Sequence, residues 1–322
     1  MKRILSFLAG ACVYLIGVFL LSGYGNKTAH IGINTAIVDG FASRYINTSS
    51  PLPKFKNYLF VLDGSVGMPG EAIVASGFEL VNTDQKKYNA KLWMIHGGYS
   101  ADEPELPASF RHFYDPTEPE GERYLHNHLD YLEEKLDPLF FNPRVDHIEW
   151  AITHPDHEYN WMNGIKHVKM ALEEPNPDTR DEHMAFAYRA LGETLHLLGD
   201  MGCPAHVRDD SHPAPFGRKG VAGFFGSPDP YEEVFESFKY INEDFSKGEP
   251  DADLKNKFRK AVRIEDIAKE LALYTNQNFF TEQTIQGTGV IPRIHPEKTY
   301  PLPSLNSCEY DPETYSFSKT IS

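Results

Sequence analysis

Residues 190–236, ALGETLHLLGDMGCPAHVRDDSHPAPFGRKGVAGFFGSPDPYEEVFE, hold three histidines, His196, His206 and His212, among eight carboxylates, and their first half reads as a helix with polar residues on a face that should be apolar. On a helix, positions four apart share a face about one turn from each other. His196 and Asp200 in H-L-L-G-D therefore point at the same spot. Pro204 closes the helix, because it lacks an N–H and its ring clashes with the preceding turn, and the chain swings His206 back toward that spot. A nitrogen, a carboxylate and a second nitrogen converging in this way are the donor types that bind zinc or a similar ion.

Upstream of this stretch, residues 179–201 are the longest and best patterned helical segment, with Phe186, Ala190, Leu191, Leu195 and Leu198 on a helical period. Residues 29–46 show the same spacing through Ile31, Ala36, Ile37, Phe41 and Tyr45. Helices are also expected over 126–135, 146–153 and 159–173, punctuated by Pro143, Pro155 and Pro175, and over 264–280, where Ala261 and Val262 continue the pattern upstream. Asp229-Pro230 has the form of an N-cap followed by a first-turn proline. Between these lie loops over 46–70 with a short element near 58–62, a brief apolar run at 92–95 ended by Gly97-Gly98, and a long acidic, Pro-containing loop over 99–122. No repeat and no strand ladder is apparent. The expected fold is all-α, a single multi-helix domain over 26–285, preceded by a leader over 1–25 and followed by an extended Pro-rich tail over 286–322.

Thirty-one basic against 46 acidic residues give a net charge of −15, which argues against duplex nucleic acid as a partner, since such binding rests on Lys and Arg neutralising phosphates. An anionic substrate stays compatible where bound cations supply local positive charge. Lys2 and Arg3 followed by an uncharged run from Ile4 to Leu21 have the layout of a secretory signal or an uncleaved anchor, so an exported protein is expected. Past the leader only Cys203 and Cys308 remain; one disulfide or two buried thiols both fit.

Two further segments complete the pattern. His30 opens its helix, and GGYSADEPELPASFRHFYDP places Asp102 and His112 on either side of a Pro-containing loop. The order His30, GGYSAD, HFYDP, HLLGDMGCPAH and DPYEEVFE resembles the zinc-dependent phospholipase C family and the related single-strand zinc nucleases, over about residues 30–285. The resemblance implies a helical domain holding two to three Zn2+ ions. Asp102, His112, His196 and Asp200 would hold one ion, Asp200 would bridge to a second held with His30, and His206 would hold a third with the DPYEE helix. Two departures stand out. The family holds its second ion partly through an N-terminal Trp close before the first His, whereas the first Trp here is Trp93; and the family's His-x-x-x-Glu has Pro228 four positions before Glu232. Asp229 with Glu232 is the expected replacement, with His212 the other candidate and Asp210 a candidate ligand or supporting residue. Arg208 is expected either to orient His206 or to stand in an exposed charged turn, and His154 and His157 to be loop and cap residues.

The function implied is metal-assisted hydrolysis of a phosphodiester: zinc brings the pKa of bound water toward about 7, and paired ions about 3.5–4 Å apart flank the nucleophile. Asp102 is the expected catalytic carboxylate, as ligand, general base or both. A phospholipid substrate, met at a membrane surface through Phe216, Phe224 and Phe225, is the leading expectation. A single-strand nuclease-like hydrolase is the alternative, and a noncatalytic, membrane-tethered binding protein with a depleted metal set is the reading from another class.

Overall fold

The computed structural model describes residues 29–45, 60–61, 87–102, 108, 110–126, 144–210, 252–281, 284, 300, 308–311 and 316–319. These are predominantly helical: α1 Ala29–Tyr45, α2 Ala90–Ser100, α3 His147–Ile152, α4 Trp161–Glu173, α5 Pro177–Asp200, α6 Ala252–Lys260 and α7 Ile264–Asn278. Two antiparallel strand pairs complete the set, β1 Phe60–Val61 with β2 Lys87–Tyr88, and β3 Cys308–Asp311 with β4 Ser316–Lys319.

Short polar residues set where helices begin. The Asn89, Asp146 and Asn160 side chains accept from the backbone N–H three residues on, at 2.8–2.9 Å, which satisfies a first-turn donor that has no intrahelical partner. In α5 the cap is Asn176, with Pro177 in the first turn. The helix therefore starts two residues before the sequence pattern did, because cap and proline are read from residue type and not from apolar spacing.

The centre of the fold is the crossing of α2 and α5. A Cβ on Gly192 would lie 2.2 Å from the Met94 carbonyl oxygen, and one on Gly97 would lie 2.4 Å from the Glu193 nitrogen, so the two backbones touch where only glycine fits. The expectation that Gly97-Gly98 ends a short apolar run is thus corrected. Both glycines lie inside α2, where they let α5 approach. Helix α1 is fixed to this crossing by Asn34, whose Nδ2 donates to Met94 O and Gly192 O, each at 2.9 Å. Apolar packing surrounds the crossing on two sides. Phe60, Tyr88, Trp93, Phe186 and Ala190 form one cluster, and Trp150, Leu197, Met201, Val207 and Ala272 belong to the other. Trp150 is buried in the core, and the partly buried Trp161 packs against it.

Two other expectations change. Residues 261–263 break α6 from α7, because Arg263 takes an extended backbone as the N-cap of α7 and exchanges bonds with Asp266. The tail over 286–322 contains the β3–β4 hairpin, in register Cys308↔Lys319 to Asp311↔Ser316, where an extended chain without a ladder was expected. Cys203 is a buried thiol outside any disulfide. The leader, most of the 126–135 helix, the aromatic insert and the Asp229-Pro230 helix lie outside the described residues; among those described, no helix is long and apolar enough to cross a membrane.

Candidate metal centre

Each residue that the resemblance proposes as a ligand and that falls within the described residues arrives at one place. His30 comes from the first turn of α1, Asp102 from just beyond the end of α2, and His196 and Asp200 from the last turns of α5. His112 and His206 come from two non-helical segments joined by the Tyr114 N–H bond to His206 O at 2.9 Å.

The donor atoms sort into two sets around Asp200. On one side, His112 Nδ1 lies 3.3 Å from Asp102 Oδ1 and 3.2 Å from Asp200 Oδ2, and His196 Nε2 lies 3.6 Å from each of the same two oxygens. On the other, Asp200 Oδ1 is 3.2 Å from His30 Nε2 and 3.5 Å from His206 Nδ1. A tetrahedral zinc with bonds of about 2.0–2.2 Å has its ligand atoms about 3.3–3.6 Å apart, and the nitrogen–oxygen pairs here lie 3.2–3.6 Å apart. Among the described residues, Asp102, His112 and His196 form one group of mutually close donors and His30, His196 and Asp200 another, so each offers three, the count that leaves one position open.

Burial and hydrogen bonding point the same way. Asp200 is 1% exposed, and among the described residues neither of its oxygens has a hydrogen bond of proper geometry; His196 Nε2, equally buried, has none there either. A carboxylate taken out of water in that condition is costly unless paired with charge. His196 Nδ1 donates to Gly98 O at 2.9 Å, which places the proton on that nitrogen and leaves Nε2 as a lone-pair donor aimed into the set. Desolvation pushes the His196 ring down to about 4, with the charge of His30 adding to it, so it presents the neutral form that metals require. Burial alone would raise Asp200, but the imidazoles of His196, His30, His112 and His206 hold it well below the carboxylate range. Burial works against a charged His30 too, yet Asp200 raises it. Its ring stacks on that of His196 with centroids 3.6 Å apart. Asp102 at 19% and His30 at 15% are the most exposed of the six, so solvent reaches the centre on their side.

His206 stands beside Asp200 Oδ1, with the His30 set. Its expected partners for a third ion, Asp229, Glu232 and the alternative His212, lie outside the described residues. Asp210 is buried and its backbone N–H donates to Ala205 O at 3.1 Å; it belongs to neither donor group among the described residues. Arg208 is fully buried, which decides against an exposed turn. Its guanidinium donates to Asn276 O and Thr284 Oγ1, while Asn276 Nδ2 donates to Val207 O, so the end of α7 clamps the loop that carries His206.

A second buried group, absent from the sequence reading, lies behind the donors. Glu193 accepts Ser100 Oγ at 2.6 Å and Arg189 Nε at 2.8 Å on one oxygen, and His157 Nε2 at 3.0 Å on the other. His157 also donates from Nδ1 to Trp150 O at 2.8 Å, a core role and not the loop role expected of it. The available signal was Glu193 itself, a carboxylate four after Arg189 and three before His196 on one face of the helix. Burial opposes ionisation of Glu193, but Arg189, His157 and Ser100 bring it down to about 2 from an ordinary 4.5. A depressed carboxylate contributes stability above its unfolded pKa and loses it as pH falls through the folded one. The metal-free protein is therefore expected to lose about 3 kcal/mol of unfolding free energy between about pH 4.5 and 2 from this residue, at about 1.4 kcal/mol per unit. Denaturant titrations across that range should show the loss, flattened in Glu193→Gln; equal slopes in both proteins would refute it.

Comparison with models of known families, with curated proteins and with solved structures finds no match to this chain.

Proposed function

We propose that this chain is a helical, metal-dependent hydrolase whose centre is built on Asp200. Within that class, the reading best supported is an exported zinc-dependent phosphodiesterase of the phospholipase C type. The observation that carries it is the sharing of one buried carboxylate: Asp200 Oδ2 belongs to the set with Asp102, His112 and His196, and Oδ1 to the set with His30 and His206. Structural metal sites need one set of donors, whereas a bridged pair is the arrangement of many phosphoryl-transfer centres. The order of sequence motifs, from His30 through HFYDP to HLLGDMGCPAH, supports the narrower reading.

Zinc held there would supply a low-pKa water and polarise a phosphoryl oxygen. The protein's own part can be assigned by position. His196 and Asp200, on a helix, and His112, held by backbone bonds before and after it, hold their donors rigidly; Arg111 N donates to Ala108 O at 2.8 Å on the preceding side of His112, and on the following side Phe113 O accepts His147 N at 3.2 Å and Tyr114 N donates to His206 O at 2.9 Å. Asp102, the most exposed carboxylate of the centre, is placed to accept a proton at its oxygen from an attacking water. Local cations also reconcile an acidic protein of net charge −15 with an anionic diester.

Metal analysis of the full chain should find two to three zinc ions. A chromogenic phosphodiester and a short-chain phosphatidylcholine should both be turned over, and the second faster than single-stranded DNA. Asp102→Asn should lower kcat by at least about 100-fold, the lower end for loss of a general base, because it also removes a ligand of the first position. Zero or one ion together with no turnover of any of the three substrates would sink the proposal, and preference for DNA would move it to the nuclease side.

A further inference from the structure

The group around Glu193 touches no expected substrate, yet it joins the two elements that must meet for the centre to form. Ser100 is the last residue of α2, two before Asp102; Glu193 is three before His196 on α5. The 2.6 Å Ser100–Glu193 bond spans 93 positions of sequence and is buried at both ends, with Ser100 1% and Glu193 2% exposed. Glu193 is itself held by Arg189 one turn earlier and by His157 from the turn before α4, and Trp150 backs His157, the two rings stacking at 4.7 Å. One turn further along, Gly98 O receives the His196 ring. The last turn of α2 thus meets α5 through one bond that orients a donor and one that fixes where Asp102 begins.

We propose that Glu193 and Ser100 are positioning residues for the first metal position: the carboxylate, immobilised by Arg189 and His157, holds the end of α2 so that Asp102 Oδ1 stands 3.3 Å from His112 Nδ1 and 3.6 Å from His196 Nε2. This rests on the metal reading above. The physical reason is that Asp102 lies on the exposed side and follows the last helical residue, where backbone order falls off. A ligand on such a segment binds well only if its position is fixed beforehand. Ser100 hydroxyl to Glu193 carboxylate is the charge-assisted type of bond, short and directional, that does this.

Cobalt(II) added to the metal-free full chain is the probe, because its visible absorption reports coordination geometry independently of turnover. Ser100→Ala removes only the link and leaves Glu193 to Arg189 and His157, so its far-UV circular dichroism should match wild type. Its cobalt affinity at the tighter position should fall by about 10- to 100-fold, the range for residues behind metal ligands, with altered absorption. Glu193→Gln should fall as far or further. The double variant should lose no more than Glu193→Gln alone, because Ser100 acts through Glu193. Wild-type affinity and spectrum in folded Ser100→Ala, or losses that simply add in the double variant, would overturn the assignment. A wild-type chain that binds no cobalt overturns it along with the metal reading, whereas a wild type that binds and a Ser100→Ala that binds equally overturn this inference alone.

Discussion

Replacing Asp200 by Asn is expected to empty both metal positions together. Each oxygen serves a different set, Oδ2 lying 3.2 Å from His112 Nδ1 and Oδ1 lying 3.2 Å from His30 Nε2. An amide keeps one neutral oxygen and turns an N–H group toward the other set, where it meets imidazole lone pairs and no ion. The set with His30 and His206 would drop to two neutral nitrogens, and the other would keep only one carboxylate, on the more exposed Asp102. Affinity at both positions should fall by more than about 100-fold, beyond the range seen for residues that merely support ligands. Thermal unfolding shows it directly: zinc at 1,000 times its dissociation constant adds about 4 kcal/mol to a protein that binds it only when folded, and that gain should vanish in Asp200→Asn. Asp102→Asn should behave differently, losing the first position and keeping the His30 set. Two zinc ions retained by folded Asp200→Asn would exclude the bridging role.

The donors closest to one another in sequence were legible because helix geometry is local. His196 and Asp200 need only a 3.6-residue period to share a face, and on that shared face His196 Nε2 lies 3.6 Å from Asp200 Oδ2. His30, Asp102 and His112 carry no such local signal, and single residues of these types are common in loops. Only their order along the chain, taken as a resemblance, put them in the same centre as α5. What stayed illegible depends on burial. A Gly-Gly pair reads as a break when backbone freedom is considered alone, but in α2 the same pair removes two Cβ atoms from a helix crossing. Glu193 reads as one more acidic helix residue until Ser100 and His157, 93 and 36 positions away, are seen to bond to it. Two-residue strands such as β1 and β2 are shorter than the alternation that would announce them.

The helix crossing yields a prediction in which the sign matters as much as the size. Substituting Ala for Gly inside a helix ordinarily stabilises by about 1 kcal/mol, through backbone entropy and burial of backbone from water. Gly40, in α1, has no atom within 4 Å of where a Cβ would be built, so Gly40→Ala should show that gain. At Gly192 the added carbon would lie 2.2 Å from Met94 O and 2.8 Å from Met94 C and Cα. These are backbone atoms of a neighbouring helix and cannot rotate away as a side chain can. The crossing must open instead, against close packing on both sides. Overpacking of this kind costs about 1–3 kcal/mol and sometimes more; a 2.2 Å approach to backbone belongs at the upper end, so with about 1 kcal/mol of propensity gain subtracted Gly192→Ala should destabilise by about 2 kcal/mol net and Gly192→Leu by more. Opening the crossing also moves Gly98 and Asp102 away from His196. Zinc affinity in Gly192→Ala should therefore fall although no ligand has changed, while Gly40→Ala keeps it. Chemical denaturation of the metal-free variants together with zinc competition titrations measures both effects, and a stabilising Gly192→Ala with unchanged zinc affinity would mean that the α2–α5 contact does not set the spacing of the donors.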